Sequence, residues 1–328
     1  MTLMLNASAL QAVLDMPSTV QAVDRIFADL ARGTAAQPTP SAMGVPSADS
    51  SFIVMPSVAA EPALASVKLL ADIPSNAQRG LPSQRSLIML ADHITGDPLA
   101  ILDGKVPTRI RTAAATAVAT KYLSCPDSAV LGLIGAGALA VAHVEAMLCV
   151  RRFEKIVVWS RTEQRVTEFA AAVAHHGLDV VPMATAKEVV AACDVLCTLT
   201  PSVDPIVQGE WFRPGQHINA VGARPRPTER EVDAEGMARA RVFVDHWGTA
   251  QAKSGDYLLA LAEGAITEQA IVGELGQVAA GEIVGRRDAR EITLFNSVGI
   301  GALDLAIGRL AYDRALEQGL GQSVDLSL

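Results

Sequence analysis

The sequence predicts an α/β fold in which a doubly wound parallel sheet is inserted into a smaller α+β domain. Three observations carry that expectation. Short apolar runs alternate with helical runs from Ala129 to Thr200, the pattern of a parallel sheet covered by helices. A glycine motif, Gly135-x-Gly137-x-x-Ala140, follows the first of those runs and opens a helix, which makes the sheet Rossmann-type. Closely spaced strand-like runs come before it, and an apolar helical segment at the far end, Ser297 to Leu320, has to pack back on them. At roughly 150 residues per domain, 328 residues make about two domains.

Taken in order, the first 35 or so residues read as helices, because Val20, Val23, Ile26, Phe27 and Leu30 form one apolar stripe. Residues 34–50 are rich in Pro, Ser, Ala and Gly without a period and read as a loop. Strand-like runs follow at Ser51–Met55, Ala65–Leu70, Ser86–Leu90 and Pro98–Leu102, punctuated by Pro56, Pro74, Gly80, Pro82, Gly96 and Gly104, which predicts a mostly antiparallel sheet. Arg111–Leu123 is Ala- and Val-rich and helical. The second rhythm sets strands at Ala129–Ile134, Lys155–Ser160, Asp179–Met183 and Asp194–Thr200. Helices fall between them at Ala138–Val150, Glu163–His176 and Thr185–Ala192. Further strands are expected at Gln216–Val221 and Arg241–Val244.

Composition removes several classes. Acids outnumber bases 35 to 27, a formal charge of −8, whereas a nucleic-acid binder or polybasic membrane-surface protein carries a basic excess. No run of ~18 residues is free of charge, since His143 and Glu145 interrupt the nearest candidate, Ile134–Val150. The N-terminal segment has Asp15 and Asp24 and no basic leader, so no signal peptide is expected. Cys125, Cys149, Cys193 and Cys197 form no CxxC pair and read as reduced, buried small hydrophobes. The six histidines fall in no metal motif. A cytoplasmic, metal-free enzyme with small-molecule ligands is the expectation.

The glycine motif carries the strongest chemistry. Gly135 permits the tight turn, Gly137 lets backbone approach a pyrophosphate, and the helix N-terminus offers N–H donors to phosphate. An Asp or Glu at the end of the next strand would select NAD by binding a ribose 2′-hydroxyl. Here that stretch reads Ser160, Arg161 and Thr162, with a guanidinium to pair with a 2′-phosphate and two hydroxyls to bond it. The expected cofactor is therefore NADPH/NADP; the plainer reading of Arg161 is a solvated residue at a helix start. Thr200, Pro201 and Ser202 end another strand, at the sheet edge where ligands bind.

Lys68 lies among apolar neighbours, and a lysine is almost never buried without a partner. The plainer reading is an edge-strand lysine that blocks aggregation. Arg109 and Arg111 sit where Pro107 and Thr108 are expected to open a helix. Cations there are unfavourable unless an anion, such as a substrate carboxylate, compensates.

These residues also carry a resemblance. Arg111–Ala115 followed by KYLSCPDSAVLGLIGAGALA, the segments TPSVDPIVQGEWFRPGQHINAVGA and VFVDHWGTAQAKSGD, and the ending EITLFNSVGIGALDLA are similar to the ornithine cyclodeaminase/mu-crystallin family. The resemblance covers nearly the whole chain beyond about residue 50 and is closest to ketimine reductase-like members. It implies a homodimer, with a substrate and dimerisation domain over residues 1–112 completed by 301–328, and an NADP-binding domain over 113–300. It implies Lys68 as the active-site lysine and Arg111 as the substrate-carboxylate arginine. Arg109, Met55 and Gly299 complete the expected substrate site. The expected cofactor site comprises Thr112, Gly135, Ala136, Gly137, Ala138, Ser160, Arg161, Thr162, Thr200, Pro201, Ser202 and Val221; no metal is expected. Two departures stand out. The loop arginine common in the family is missing from Thr39–Ala42, a gap that Arg109 is expected to fill. Arg224 stands about where cyclodeaminases carry an acid, and a guanidinium cannot act as a general base. The expected activity is NADPH-dependent reduction of cyclic imine carboxylates. The alternatives are ornithine or lysine cyclodeamination, L-amino-acid dehydrogenation, and non-catalytic binding of NADPH and a hydrophobic ligand.

Overall fold

The structure is a computed structural model and describes residues 1–45 and 47–326. Pro46, within the expected loop, and Ser327 and Leu328, at the end of the expected completing segment, lie outside the described residues. The chain divides into two compact units, Met1–Thr112 with Ile300–Leu328, and Ala113–Gly299.

The first unit is a sheet covered on one face by helices. Its strands run in the order Gln322–Val324, Thr2–Leu5, Pro98–Asp103, Gln84–Asp92, Leu64–Asp72, Ser51–Ala59 and Ala35–Ala36, with Ser41–Gly44 also paired to Ser51–Ala59. Every pairing is antiparallel except that of Thr2–Leu5 with Pro98–Asp103. Alternation sets the faces. Leu64, Ser66 and Lys68 point inward along one strand, and Ile88 and Leu90 along the next, beneath the helix Gly301–Gln318. The alternate positions point outward and leave Phe52, Leu69, Leu87 and Met89 exposed.

Three expectations are corrected here. The N-terminal segment is not wholly helical: Thr2–Leu5 is a strand, and helices begin at Ala7–Val13 and Met16–Ala31. Residues 34–50 are not all loop, since Ala35–Ala36 and Ser41–Gly44 pair along the backbone of Ser51–Ala59. The helix expected from about Pro107 opens earlier, at Lys105, and runs to Leu123. Arg109 and Arg111 therefore lie inside the helix, and the N-terminal charge argument does not apply to them.

The second unit is an all-parallel sheet, as expected. Its order is Asp179–Pro182, Lys155–Trp159, Val130–Ile134, Val195–Thr198, His217–Ala220, Thr293–Asn296, Arg241–Val244 and Ile271–Glu274. The chain winds outward from Val130–Ile134 on one side, then returns beside it with Val195–Thr198. That switch point is where open α/β sheets bind ligands, at the carboxyl ends of the strands. Thr293–Asn296, a strand beyond those expected, lies between His217–Ala220 and Arg241–Val244, so the last long helix starts only at Gly301, not at Ser297. Cys193 and Cys197 are buried between sheet and helices, with their thiols pushed up, that of Cys193 to about 12; Cys149 is exposed and Cys125 half-buried, against the expectation for those two. Among the described residues no His/Cys/Asp/Glu group could hold a metal, and no helix is long and apolar enough to cross a membrane.

Candidate active site

The first unit brings Lys68 and Arg111 onto one carboxylate. Lys68 sits at the centre of its strand, opposite Met55 on one neighbour and Ile88 on the other, so it is not an edge lysine. Its side chain is 0% exposed. The ammonium donates to Thr108 Oγ1 at 2.7 Å and to Asp304 Oδ1 at 3.1 Å. Arg111 Nε donates to the same Oδ1 at 3.3 Å. Thr108 and Arg111 are three apart on the helix Lys105–Leu123 and so share a strip facing this cluster. Arg109 is two positions from Arg111, on a different strip, and it does not join the cluster or share a partner with Lys68.

Asp304 is not among the expected site residues, although a lone acid between Leu303 and Leu305 in an apolar helix is a readable signal. Glycines on its own strip place it. A Cβ on Gly301 would fall 2.9 Å from the Met55 carbonyl oxygen, and one on Gly308 2.9 Å from Leu90 Cδ2. Without those side chains the helix lies close enough to the sheet for a short aspartate to reach Lys68. Asp304 Oδ2 is buried without a partner, as is Gln37 Nε2, whose Oε1 accepts from the Ala302 amide.

The electrostatics follow from burial. Desolvation pushes the Lys68 ammonium down to about 8 from 10.5; Asp304 opposes that shift and Arg111 adds to it. The folded chain thus sheds this proton before the unfolded chain does, so the Lys68 contribution favours the fold increasingly from about pH 8 to 10.5. Two cations and one carboxylate leave the cluster with one net positive charge. Neither terminal nitrogen of Arg111, nor the third ammonium hydrogen of Lys68, has a partner among the described residues. The unmatched charge and donors suit a carboxylate.

In the second unit the turn after Val130–Ile134 has the form a pyrophosphate needs. Gly135 has φ +104, and a Cβ there would fall 2.9 Å from the Leu199 carbonyl oxygen. Above Gly137, the N-cap of Ala138–Leu148, nothing lies within 4 Å of an added Cβ, and its cap has no side-chain hydrogen bond. The amides of Ala138 and Leu139, in the first turn of that helix, have no intrahelical acceptor. Ala136 is buried in the turn, and Ala140 packs inside. The residues present therefore fit a dinucleotide phosphate. Ser160, Arg161 and Thr162 follow the neighbouring strand; Arg161 is exposed and makes no ion pair or side-chain hydrogen bond among the described residues. Thr200 is fixed through its amide and hydroxyl to Glu231, and Ser202 Oγ donates to the Asp204 carbonyl, with Pro201 exposed between them. The Val221 amide bonds the Thr198 carbonyl. Gly299, at φ +89, gives its amide to Asp245 Oδ2 at 2.6 Å, a buried carboxyl raised to about 6 by desolvation. Thr112 Oγ1 donates to the Thr108 carbonyl. Arg224, at the position of the expected acid, is tied to Glu229 Oε2 at 2.7 Å, and Thr39–Ala42 brings no arginine to the Lys68 cluster.

A dinucleotide-type sheet, together with a separate unit presenting a buried lysine and a half-bound arginine, defines the class: a nucleotide-fold protein with a buried basic cluster. The chain belongs to the ornithine cyclodeaminase/mu-crystallin family, whose profile matches residues 1–319. It is 36% identical over 275 residues, 83% of this chain and 84% of the relative, to Delta(1)-pyrroline-2-carboxylate reductase of Bacillus cereus. It is 37% identical over 262 residues, 79% of each chain, to ketimine reductase mu-crystallin of Rattus norvegicus. Among solved structures, that of Thermococcus litoralis Delta(1)-pyrroline-2-carboxylate reductase in complex with NADH and L-proline superposes with a TM-score of 0.92 at 35% identity, covering 98% of this chain and 100% of that one.

Removing the Asp304 charge leaves two buried cations facing each other. Asp304→Asn is expected to cost about 3 kcal/mol of stability in denaturant unfolding. A change under about 0.5 kcal/mol would show that the carboxylate does not hold the cluster.

Proposed function

We propose that the chain is an NADPH-dependent reductase of cyclic imine carboxylates, taking Δ1-pyrroline-2-carboxylate or Δ1-piperideine-2-carboxylate to L-proline or L-pipecolate. The observation that carries the reading is Arg111, anchored through Nε to Asp304 with both terminal nitrogens left for a carboxylate. The names of the relatives supply the imine, and the open glycine turn supplies the cofactor site.

In this reading Arg111 clamps the carboxylate bidentately and fixes the adjacent C=N carbon. Lys68, still protonated at neutral pH, turns its free hydrogen to the substrate and keeps the imine nitrogen protonated. Asp304 holds both cations in place and offsets their repulsion. Bound NADPH supplies the hydride that the imine carbon accepts. Gly137 and the Ala138 amide would hold its phosphates, and Arg161 with Ser160 and Thr162 would hold the 2′-phosphate. Arg224, pinned by Glu229, offers no base for amine release, which sets cyclodeamination aside.

The homodimer is proposed to form through the outward sheet face of the first unit. Phe52, Leu69, Leu87 and Met89 are 41–55% exposed, and Leu69 and Leu87 are direct cross-strand neighbours. An apolar face of this kind marks an interface.

Three outcomes are expected. In an NADPH-oxidation screen, preformed cyclic imine acids are turned over, and Arg111→Ala raises their KM at least about 100-fold, the loss of a charge-assisted bidentate contact. Turnover of open-chain keto acids with ammonia but not of cyclic imines would contradict the substrate class. NADPH outperforms NADH, and Arg161→Ala raises the KM for NADPH about tenfold or more while that for NADH barely moves; a wild-type preference for NADH would contradict the cofactor reading. Light scattering gives twice the 34.3 kDa chain mass, and Leu69→Lys with Leu87→Lys gives the monomer; a wild-type monomer would contradict the dimer.

A further inference from the structure

Glu231 lies outside every motif so far given a role, yet its side chain accepts five hydrogen bonds. It is 0% exposed. Oε1 accepts from the Thr200 amide and from Thr200 Oγ1, each at 2.7 Å. Oε2 accepts from Thr198 Oγ1 at 2.7 Å, the Gly222 amide at 2.7 Å and the Ala223 amide at 3.1 Å. The two oxygens thus tie together the segments leaving the carboxyl ends of two adjacent parallel strands, Val195–Thr198 and His217–Ala220. Those segments are already in close approach: a Cβ on Gly222 would fall 2.2 Å from the Thr200 nitrogen. The main chain of Glu231 extends the tie, accepting from the Ile206 and Val207 amides and donating its own amide to Asp256 Oδ1.

Three of the five donors are backbone amides, which cannot accept. A carboxylate serves them all. A carboxylic acid, or an amide side chain, presents a hydrogen to at least one of them and loses that bond. We propose that Glu231 is a positioning residue for the dinucleotide: its ionised carboxylate holds Thr200–Ser202 and Val221–Ala223 in the binding geometry, and its protonation loosens them. The inference rests on the reading that this sheet edge carries the cofactor.

Protonation lies within reach near neutrality. Burial raises the Glu231 carboxyl to about 7, against the pull of its donors, and Asp256 raises it further. The other charged groups around it are committed elsewhere. Asp256 takes the Glu231 and Val232 amides on Oδ1 and Asn296 on Oδ2; Arg230 pairs with Glu263; Glu229 pairs with Arg224 and Arg226. No cation pairs with the Glu231 carboxylate among the described residues. Cofactor affinity should therefore fall as pH drops through about 7.

The test is direct titration of the full chain with NADH and with NADPH, followed by nucleotide fluorescence from pH 6 to 8.5. NADH matters because it lacks the 2′-phosphate, which titrates in the same range. For the wild type, NADH binding is expected to be about tenfold weaker at pH 6 than at pH 8, and for Glu231→Gln about tenfold weaker at pH 8 and flat with pH. Thr198→Val with Thr200→Val, which removes two hydroxyl donors and leaves the amides, should shift the wild-type midpoint to higher pH. That variant keeps the test alive if Glu231→Gln does not fold. A Glu231→Gln protein with wild-type affinity and pH dependence, or an unmoved midpoint in the threonine variant, would overturn the proposal. A wild type that binds neither nucleotide at any pH overturns the cofactor reading and the proposal with it.

Discussion

The arrangement of the first unit turns on one carboxylate. Asp304 comes from the last long helix, Lys68 from the middle of the sheet and Arg111 from the helix that follows the sheet, so three distant stretches of chain meet at a single oxygen. A buried lysine and a buried arginine side by side would each be strongly unfavourable alone. With Asp304 between them they are tolerated, and one positive charge is left over for a ligand to neutralise. The packing makes this possible: glycines above and below Asp304 bring its helix down onto the strands, so that an aspartate side chain spans the gap.

The second unit uses buried carboxylates differently. Glu231, Asp245 and Asp256 take backbone amides rather than cations, and each fixes a loop at the carboxyl edge of the parallel sheet. Desolvation raises all three, so their charge is held against burial by the amides that surround them. The two units thus show the same chemistry in two uses, one to hold buried cations and one to hold backbone at the edge of the parallel sheet.

Much of this was readable from residues. The parallel sheet and its glycine turn followed from a period-switching pattern that few other folds produce. The antiparallel strands of the first unit followed from apolar runs between turn residues. What escaped did so for physical reasons. Thr2–Leu5 is too short for its period to tell strand from helix, and Ser41–Gly44 is exposed throughout and held by backbone pairing alone. Lys105 opens its helix behind Gly104 rather than Pro107, which moved both arginines inside. Lys68 and Arg111 were legible as types out of place, but their meeting on Asp304 needs the fold. Glu231 left no pattern because its partners are mostly backbone, which sequence does not distinguish.

In the proposed reacting site Asp304 sets the charge state of Lys68. The most direct measurement is the pH dependence of kcat/KM for reduction of Δ1-pyrroline-2-carboxylate at saturating NADPH, in the wild type and in Asp304→Asn. Lys68 loses its proton near 8, so the wild-type rate is expected to fall above about pH 8. Without Asp304 the raising influence on Lys68 disappears, and the falling limb is expected at least about one pH unit lower. A limb at the same pH in both proteins would contradict the account.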